Sequence, residues 1–380
     1  MGNKHIIEGV ATLTGTIIGA GVLGMPYIIA KAGFLTGAIT LLALGIMVIF
    51  MYLYLGEIVL RTKGNHQLTG YAEIYLGGWG KKLMFLTMLV GIYGALAAYL
   101  IGSSEILSKF LGGAQGNWLM AYFLIIASII YFGLKWVEKC EVFLGIFLFI
   151  IILLITFTAM GHVEISNLSE FSISRLFMPY GVILFAYLGM AAIPEMKEEM
   201  ASNLKDMKKA VVIGATIPIA IYFLFSLAVV GSVGLEKFNS LDANDRIATI
   251  ALSSIVGEKI FLVGNLFAVL AMTTSFLVLG VALKEMFIFD YRLSHNKAWI
   301  LTMAIPLIIV MLGFTNFIEA LSLTGIFAGG IEGILIVLMA LNAKKLGNRK
   351  PEYAIPINLP AAIILILVFV AGAVFYFVPI

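Results

Sequence analysis

The stretch Gly15-Thr16-Ile17-Ile18-Gly19-Ala20-Gly21-Val22-Leu23-Gly24-Met25-Pro26 is apolar enough to lie in a lipid bilayer, yet it favours a broken helix. Four glycines and a proline fall within these twelve residues. A break at mid-membrane depth leaves backbone N–H and C=O groups that hydrocarbon cannot satisfy, so protein or a polar ligand must do so. The half-helix that enters a break ends in partial negative charge, and the one that leaves begins in partial positive charge. The stretch therefore predicts a site for a zwitterion, and the alternative is that its glycines only allow close helix packing.

The composition excludes a water-soluble globule. Hydrophobic residues make up 62% of the 380 residues, charged residues 12%, and the mean hydropathy is +1.07, whereas a soluble domain has a charged fraction of about 25%. The net charge of +3 is too small to indicate nucleic acid as a partner. The single cysteine, Cys140, excludes an internal disulfide and a cysteine metal cluster. The chain is therefore predicted to be a polytopic membrane protein without a cofactor.

Eleven apolar stretches reach the length of a membrane span, which is about 17 to 25 residues. If the N-terminus is cytoplasmic, eighteen of the 24 basic residues fall on the inner side and six on the outer side. This bias predicts a plasma-membrane protein with a cytoplasmic N-terminus and an external C-terminus. The predicted spans are 6–30, 34–60, 83–108, 117–135, 141–160, 175–195, 209–233, 254–284, 298–314, 317–342 and 358–378.

A second stretch, Phe185-Ala186-Tyr187-Leu188-Gly189-Met190-Ala191-Ala192-Ile193-Pro194-Glu195, repeats the pattern of small residues followed by proline. Each interrupted span opens a set of five spans, and because five is odd the second set enters the membrane from the opposite side. Paired interrupted helices in two inverted halves indicate the midplane site of a transporter. The connections are too short to fold separately, so we expect one transmembrane domain over 1–380. Its parts would be one repeat over about 6–160, a second over about 175–342 and an accessory helix at 358–378.

These two stretches, with Gly56-Glu57-Ile58, resemble the amino acid permeases of the amino acid–polyamine–organocation superfamily. Within it they are most similar to the eleven-helix branch that includes the hydroxy and aromatic amino acid permeases of microbes. The resemblance covers nearly the whole chain. It implies an all-α LeuT-type fold of two inverted sets of five helices, with helices 1 and 6 broken and an eleventh added. It also implies secondary active transport by alternating access.

The resemblance also implies where an amino acid binds. Its carboxylate would meet backbone N–H groups of the first break, and its ammonium would meet carbonyls at the ends of the two entering half-helices. Tyr187, Gly189 and inward-facing positions on spans three, eight and ten would select the side chain, with Tyr93 and Tyr99 as candidates for a gate. The carboxylate would meet Gly19, Ala20 and Gly21, and the ammonium would meet Ile17, Phe185 and Ala186.

Span eight carries Thr273, Thr274 and Ser275, three consecutive hydroxyls in an apolar helix. The resemblance implies that the two threonines complete a sodium site with carbonyls of the first break and of span eight. Without this resemblance, hydroxyl side chains in membrane helices are expected to donate to carbonyls of their own helix. Some proton-coupled relatives place a lysine from span five there, and 141–160 has none, which favours sodium. The carbonyls of that expected sodium site belong to Gly15, Ile18 and Leu270.

Glu332 offers a proton-coupled alternative. It lies twelve residues before Lys344, or about 18 Å deep at 1.5 Å per helical residue. Ionisable groups at such depth are expected to be functional, although a structural glutamate bonded to a neighbouring helix is the other interpretation. An amino acid exchanger is a further alternative.

Other classes of protein fit less well. A membrane enzyme would need a clustered nucleophile, base or metal, a sensor would carry an output domain, and a channel would not explain paired broken helices. No charged residue lies within 15–26 or 185–194 to select a charged side chain. We therefore expect a neutral amino acid, hydrophobic or aromatic, as substrate. The expected partners are this amino acid and the lipid bilayer. We expect the protein to be a monomer and to have no catalytic residue.

Overall fold

The computed structural model describes residues 2–132, 137–289 and 291–377, and the regular elements within these ranges are all helical. The last three residues of the predicted fourth span and the last residue of the predicted accessory helix lie outside the described ranges. The first half of the chain contains α1 Gly2–Ile17, α2 Met25–Ala32, α3 Phe34–Arg61, α4 Leu68–Leu111, α5 Gln115–Phe132 and α6 Val137–Met160. The second half contains α7 Tyr180–Ala186, α8 Ala192–Glu199, α9 Met207–Asn239, α10 Ala248–Val256, α11 Glu258–Phe289, α12 His295–Met311, α13 Phe317–Thr324, α14 Gly330–Leu346 and α15 Leu359–Phe377.

Two of the long helices contain a break at a glycine. Gly77 in α4 has φ 76° and ψ −166°, so residues 68–76 form a separate helix before the predicted third span. Gly234 in α9 has φ 70° and ends the straight part of that helix five residues before Asn239. Positive φ is open to glycine at no steric cost, which explains the residue type at both bends.

Seven helices among the described residues are long and apolar enough to cross a membrane, so this is a multi-pass membrane protein. Shorter apolar helical stretches lie at 149–160, which is the second half of α6, and at 295–311, which is α12. The predicted first and sixth spans fall on pairs of short helices, α1 with α2 and α7 with α8. The seven long spans are 34–61, 68–111, 115–132, 204–239, 262–288, 317–346 and 359–377.

Two long helices organise the packing. The helix α9 lies against α1, α2 and α3, while α4 lies against α5, α11, α13 and α14. The short helix α7 packs against α13 and the turn that joins it to α14. The interrupted helices are thereby surrounded by protein, as their unpaired backbone groups require.

At one end of the molecule a strap, residues 347–358, crosses from α14 to α15 over the end of α3. The buried Glu57 accepts hydrogen bonds from Arg61 Nε at 2.7 Å, Lys344 Nζ at 2.5 Å and the backbone N–H of Ile355 at 2.6 Å. Within the strap, Arg349 donates to Glu352, and this bond lowers the pKa of the glutamate. The strap is therefore fastened to α3 by charge and by main-chain bonds.

Candidate functional site

The first break begins where α1 ends. The N–H of Ile18 still bonds Thr14 O at 2.9 Å, and a short 3₁₀ turn, Ala20–Leu23, follows before α2. Within this turn the Gly19 carbonyl accepts from the N–H of Val22 at 3.5 Å, and the Gly21 carbonyl accepts from the N–H of Gly24 at 3.3 Å. As the first N–H groups of a helical turn, those of Gly19, Ala20 and Gly21 have no partner within it. The turn thus presents three backbone donors, of which those of Ala20 and Gly21 are buried and that of Gly19 is half-buried.

The second break lies between α7 and α8. The N–H of Leu188 bonds Phe185 O at 3.0 Å, and the N–H of Ala192 bonds Gly189 O at 3.1 Å, so both ends close with tight turns. The carbonyl of Tyr187 accepts a 2.6 Å hydrogen bond from the Tyr52 hydroxyl of α3. Residues 180–187 are all buried.

The two breaks touch each other through glycine. A Cβ atom at Gly21 would lie 2.8 Å from the Cα of Ala186 and 3.2 Å from a ring carbon of Phe185. A Cβ atom at Gly189 would lie 2.7 Å from Ile17 Cγ1 and 2.9 Å from the Tyr52 hydroxyl. The structure therefore brings the predicted substrate residues of both stretches together, and glycine makes the approach possible.

Tyr222 of α9 joins the breaks, and sequence reasoning missed it. Its hydroxyl lies 2.6 Å from Ile17 O and 3.3 Å from Ala186 O, the last carbonyls of α1 and α7. The backbone of Gly19 is a hydrogen-bond partner of the same hydroxyl. The rings of Tyr187 and Tyr222 stack with centroids 5.7 Å apart. No signal in the sequence distinguishes Tyr222 from the other fourteen tyrosines.

The three hydroxyls of α11 point in different directions. Thr273 Oγ1 lies 3.1 Å from the Tyr122 hydroxyl of α5, and Thr274 Oγ1 donates to the carbonyl of Ala271 at 3.0 Å. Ser275 faces the first break, because a Cβ atom at Gly19 would lie 3.6 Å from its Oγ. Gly15 is exposed, Ile18 is buried and Leu270 is half-buried. Of the three hydroxyls, Ser275 therefore lies nearest to Gly19.

The remaining candidates differ in their surroundings. Tyr93 donates to Leu301 O of α12 at 3.0 Å, which is a packing contact between helices. Tyr99 is a hydrogen-bond partner of Ser275 and so lies beside the first break. Glu332 is 8% exposed and interacts electrostatically with Tyr52, whose hydroxyl bonds the second break.

Exposure is uneven along the interrupted helices. Residues 20–27 and 180–187 are all buried, but Gly15 and Thr16 of α1 and Glu195 of α8 are exposed. Thr12 Oγ1 donates to Glu199 Oε2 at 2.6 Å on the same side. The site is therefore covered by α2 and α7, while its other side carries an exposed polar face.

Comparison with known proteins places this chain in a family. The sequence profile of the tryptophan/tyrosine permease family matches residues 2–378. The tyrosine-specific transport system 1 of Haemophilus influenzae is 24% identical over 373 residues, covering 93% of this chain and 92% of that protein. The glutamine transporter 2 of Aliivibrio fischeri is 23% identical, covering 89% and 87%. The tryptophan-specific transport protein of Shigella flexneri is 25% identical, covering 97% and 94%.

Solved structures share the fold. MhsT in complex with L-phenylalanine aligns with a TM-score of 0.66 at 15% identity, covering 96% of this chain and 98% of that chain. The inward-facing conformation of Mhp1 aligns with a TM-score of 0.61 at 14% identity, covering 96% and 88%. The LeuT-type fold and the resemblance to aromatic amino acid permeases are thereby confirmed, and the relatives are transport proteins rather than enzymes. Among the described residues, no group of three or more His, Cys, Asp or Glu could hold a metal ion.

Proposed function

The chain belongs to the tryptophan/tyrosine permease family, and we propose that it imports a neutral, hydrophobic or aromatic amino acid by secondary active transport with alternating access. The observation that carries this proposal is the apposition of the two helix breaks, where one hydroxyl, that of Tyr222, reaches Ile17 O and Ala186 O. Main-chain dipoles at helix ends are fixed in space and bind charge of either sign. They suit the carboxylate and ammonium that all amino acids share.

The architecture we infer has eleven spans in a 5+5 inverted repeat. The pairs α1 with α2 and α7 with α8 are its broken first and sixth spans, and α15 is the accessory eleventh. The cytoplasmic side is the end with the strap, where Arg61 and Lys344 meet on Glu57. We infer that a monomer suffices to form the site, because a single chain supplies both breaks.

In the bound state the substrate carboxylate accepts hydrogen bonds from the N–H groups of Gly19, Ala20 and Gly21. The ammonium donates to the carbonyls of Ile17, Phe185 and Ala186. A carbonyl oxygen has two lone pairs, so the Tyr222 hydroxyl and the ammonium can share one carbonyl. The side chain lies against Tyr187 and Gly189, with Tyr99 and Ser275 on the opposite wall.

The exposure pattern supports an inward-facing state. Residues 20–27 and 180–187 are buried, whereas Gly15, Thr16 and Glu195 are exposed. Lys197 of α8 donates to Thr62 O at the end of α3, so α8 lies toward the strap side. Substrate would leave along this face to the cytoplasm. Uptake then requires the outer side to open in another conformation.

A substrate screen tests the proposal. Reconstituted vesicles would be loaded with one labelled substrate and challenged with each of the twenty amino acids. Tyrosine, tryptophan, phenylalanine or leucine should compete best, because the breaks offer no charged side chain. Stronger competition by lysine or glutamate would contradict it.

For the coupling ion we propose sodium, held by Thr273 and Thr274 with the carbonyls of Gly15, Ile18 and Leu270. The proximity of Ser275 to Gly19 supports it, since it brings the hydroxyl run of α11 beside the first break. Both threonine hydroxyls would have to turn from their present partners to bind the ion. Thr273→Ala and Thr274→Ala should raise the sodium concentration needed for uptake. Thr156→Ala is the matched control, because that hydroxyl bonds Ile152 O of its own helix.

A specific observation favours protons as the second candidate. Glu332 is buried and lies near Tyr52, which bonds the carbonyl of Tyr187 in the second break. A proton gained or lost at Glu332 would therefore alter the field at the substrate site. Under this mechanism Glu332→Gln should abolish accumulation but leave amino acid exchange, whereas a pure exchanger would show no accumulation in the wild type.

A further inference from the structure

Three consecutive residues of one outer turn contact three different helices. The turn is Ala243–Arg246, between α9 and α10. Asn244 Oδ1 accepts from the N–H of Phe317 at the start of α13 at 3.5 Å. Asp245 Oδ2 accepts from Lys109 Nζ at the end of α4 at 2.7 Å. Arg246 donates to the Tyr27 hydroxyl of α2 at 3.0 Å, and its guanidinium carbon lies 4.8 Å from the centre of that ring.

A pair of buried carboxyl groups lies at the middle contact. Asp245 and Glu105 are each 7% exposed. Asp245 Oδ1 is buried and accepts no hydrogen bond from an amide, hydroxyl or ammonium group of the described residues. Glu105 lies one helical turn before Lys109 on the same helix, and its side chain interacts with that of Asp245. A hydrogen bond between two carboxyl groups needs a proton on one of them.

The charges around the pair favour that proton. Lys109 is an ammonium group in contact with Asp245, and Asp242 of the same loop adds a further negative charge. Of the other elements against the turn, α10 has no ionisable side chain, α13 brings the exposed Glu319, and Arg246 is turned to Tyr27. Two carboxylates against one ammonium repel each other, and burial penalises the second charge. One bound proton removes both costs.

We propose that Glu105 and Asp245 form an external proton-binding site, and that the proton holds the turn 243–246 closed over the outer side of the transporter. The inference rests on the proposed alternating access and adds a regulatory ligand to it. Opening would expose both carboxyl groups to water, where such groups hold a proton only below about pH 4. The closed state thus binds one proton more than the open state. Between the two titrations, each pH unit should raise the ratio of open to closed molecules by up to about tenfold.

Cysteine labelling in nanodiscs tests the inference without any substrate. Cys140→Ser removes the single cysteine, and Ala248→Cys places a new one at a fully buried position two residues after the turn. A hydrophilic thiol reagent then reports opening. In the same background, Glu105→Gln supplies a neutral amide that donates to Asp245 at every pH. The labelling rate of this variant therefore gives the pH dependence of the thiol reaction alone. The wild-type rate divided by the Glu105→Gln rate should rise by up to about tenfold per pH unit between the titration of the water-exposed carboxyl groups and that of the closed pair, and should level off above it.

Two further variants keep the result decisive. Asp245→Asn should also remove the pH dependence, so it replaces Glu105→Gln if that variant does not fold. Glu319→Gln removes a charge from the same end of the molecule and should label like the wild type. Parallel pH profiles for the wild type and both neutral variants would overturn the proposal. Because no amino acid is present, that result would leave the proposed transport activity untouched.

Discussion

At the scale of single residues, Gly21 is the most restrictive position. An added methyl group would meet the backbone of Ala186 at 2.8 Å, which cannot move aside as a flexible side chain can. Overpacking costs about 1 to 3 kcal/mol, so Gly21→Ala should weaken amino acid binding by between about fivefold and a hundredfold. Gly116→Ala is the matched control, because nothing lies within 4 Å of its added carbon and the residue is outside the site. Binding to the purified proteins measures both, and equal affinity in the two variants would contradict the apposition of the breaks.

Tyr222 gives the second prediction at this scale. Its hydroxyl holds the last carbonyls of α1 and α7, and a net hydrogen bond is worth about 1 kcal/mol. Tyr222→Phe should therefore raise the dissociation constant of the substrate roughly fivefold while the ring keeps its stack on Tyr187. Tyr54→Phe removes a hydroxyl bonded to Pro356 O, away from the site, and should bind like the wild type. Unchanged affinity in Tyr222→Phe would show that the Tyr222 hydroxyl does not position the protein carbonyls that bind the substrate.

The same residues differ in how far the sequence could identify them. Gly21 and Gly189 could be identified because small residues followed by a proline weaken a continuous helix in an otherwise apolar stretch. Tyr222 could not, since it lies 205 positions from Ile17 and only the fold brings its hydroxyl there. Ser275, rather than Thr273, faces Gly19 because of the rotation of α11 about its own axis. Three consecutive hydroxyl residues in the sequence do not determine that rotation.

At the scale of elements, Glu57 fastens α3 to α14 and to the strap. It is 3% exposed and accepts bonds from two cations and one backbone N–H. Breaking a buried ion pair from one side costs on the order of 3 kcal/mol, so Glu57→Gln should lower the thermal unfolding temperature clearly. Glu73→Gln breaks an exposed pair with Lys81, which is worth less than about 1 kcal/mol. Similar unfolding temperatures for the two variants would mean that the strap does not stabilise the protein.

The elements were predictable to different degrees. Hydropathy identified the long spans, because a bilayer demands a fixed length of apolar helix. The helix at 68–76 was missed, since its separation from the third span depends on the positive φ of Gly77. In the sequence the strap is indistinguishable from an ordinary connection between helices. Its contacts with α3 could not be predicted because they join residues that are distant along the chain.

At the scale of the whole molecule, the central claim is that an ion gradient drives a neutral amino acid through the site between the two breaks. Vesicles loaded without sodium and given an inward sodium gradient, or instead an inward proton gradient, test it most directly. We predict that labelled tyrosine or tryptophan accumulates above its external concentration under the sodium gradient and that accumulation collapses when the gradient is dissipated. Accumulation under the proton gradient alone would contradict sodium coupling and move Glu332 to the centre of the mechanism. Equilibration without accumulation under either gradient would contradict secondary active transport itself.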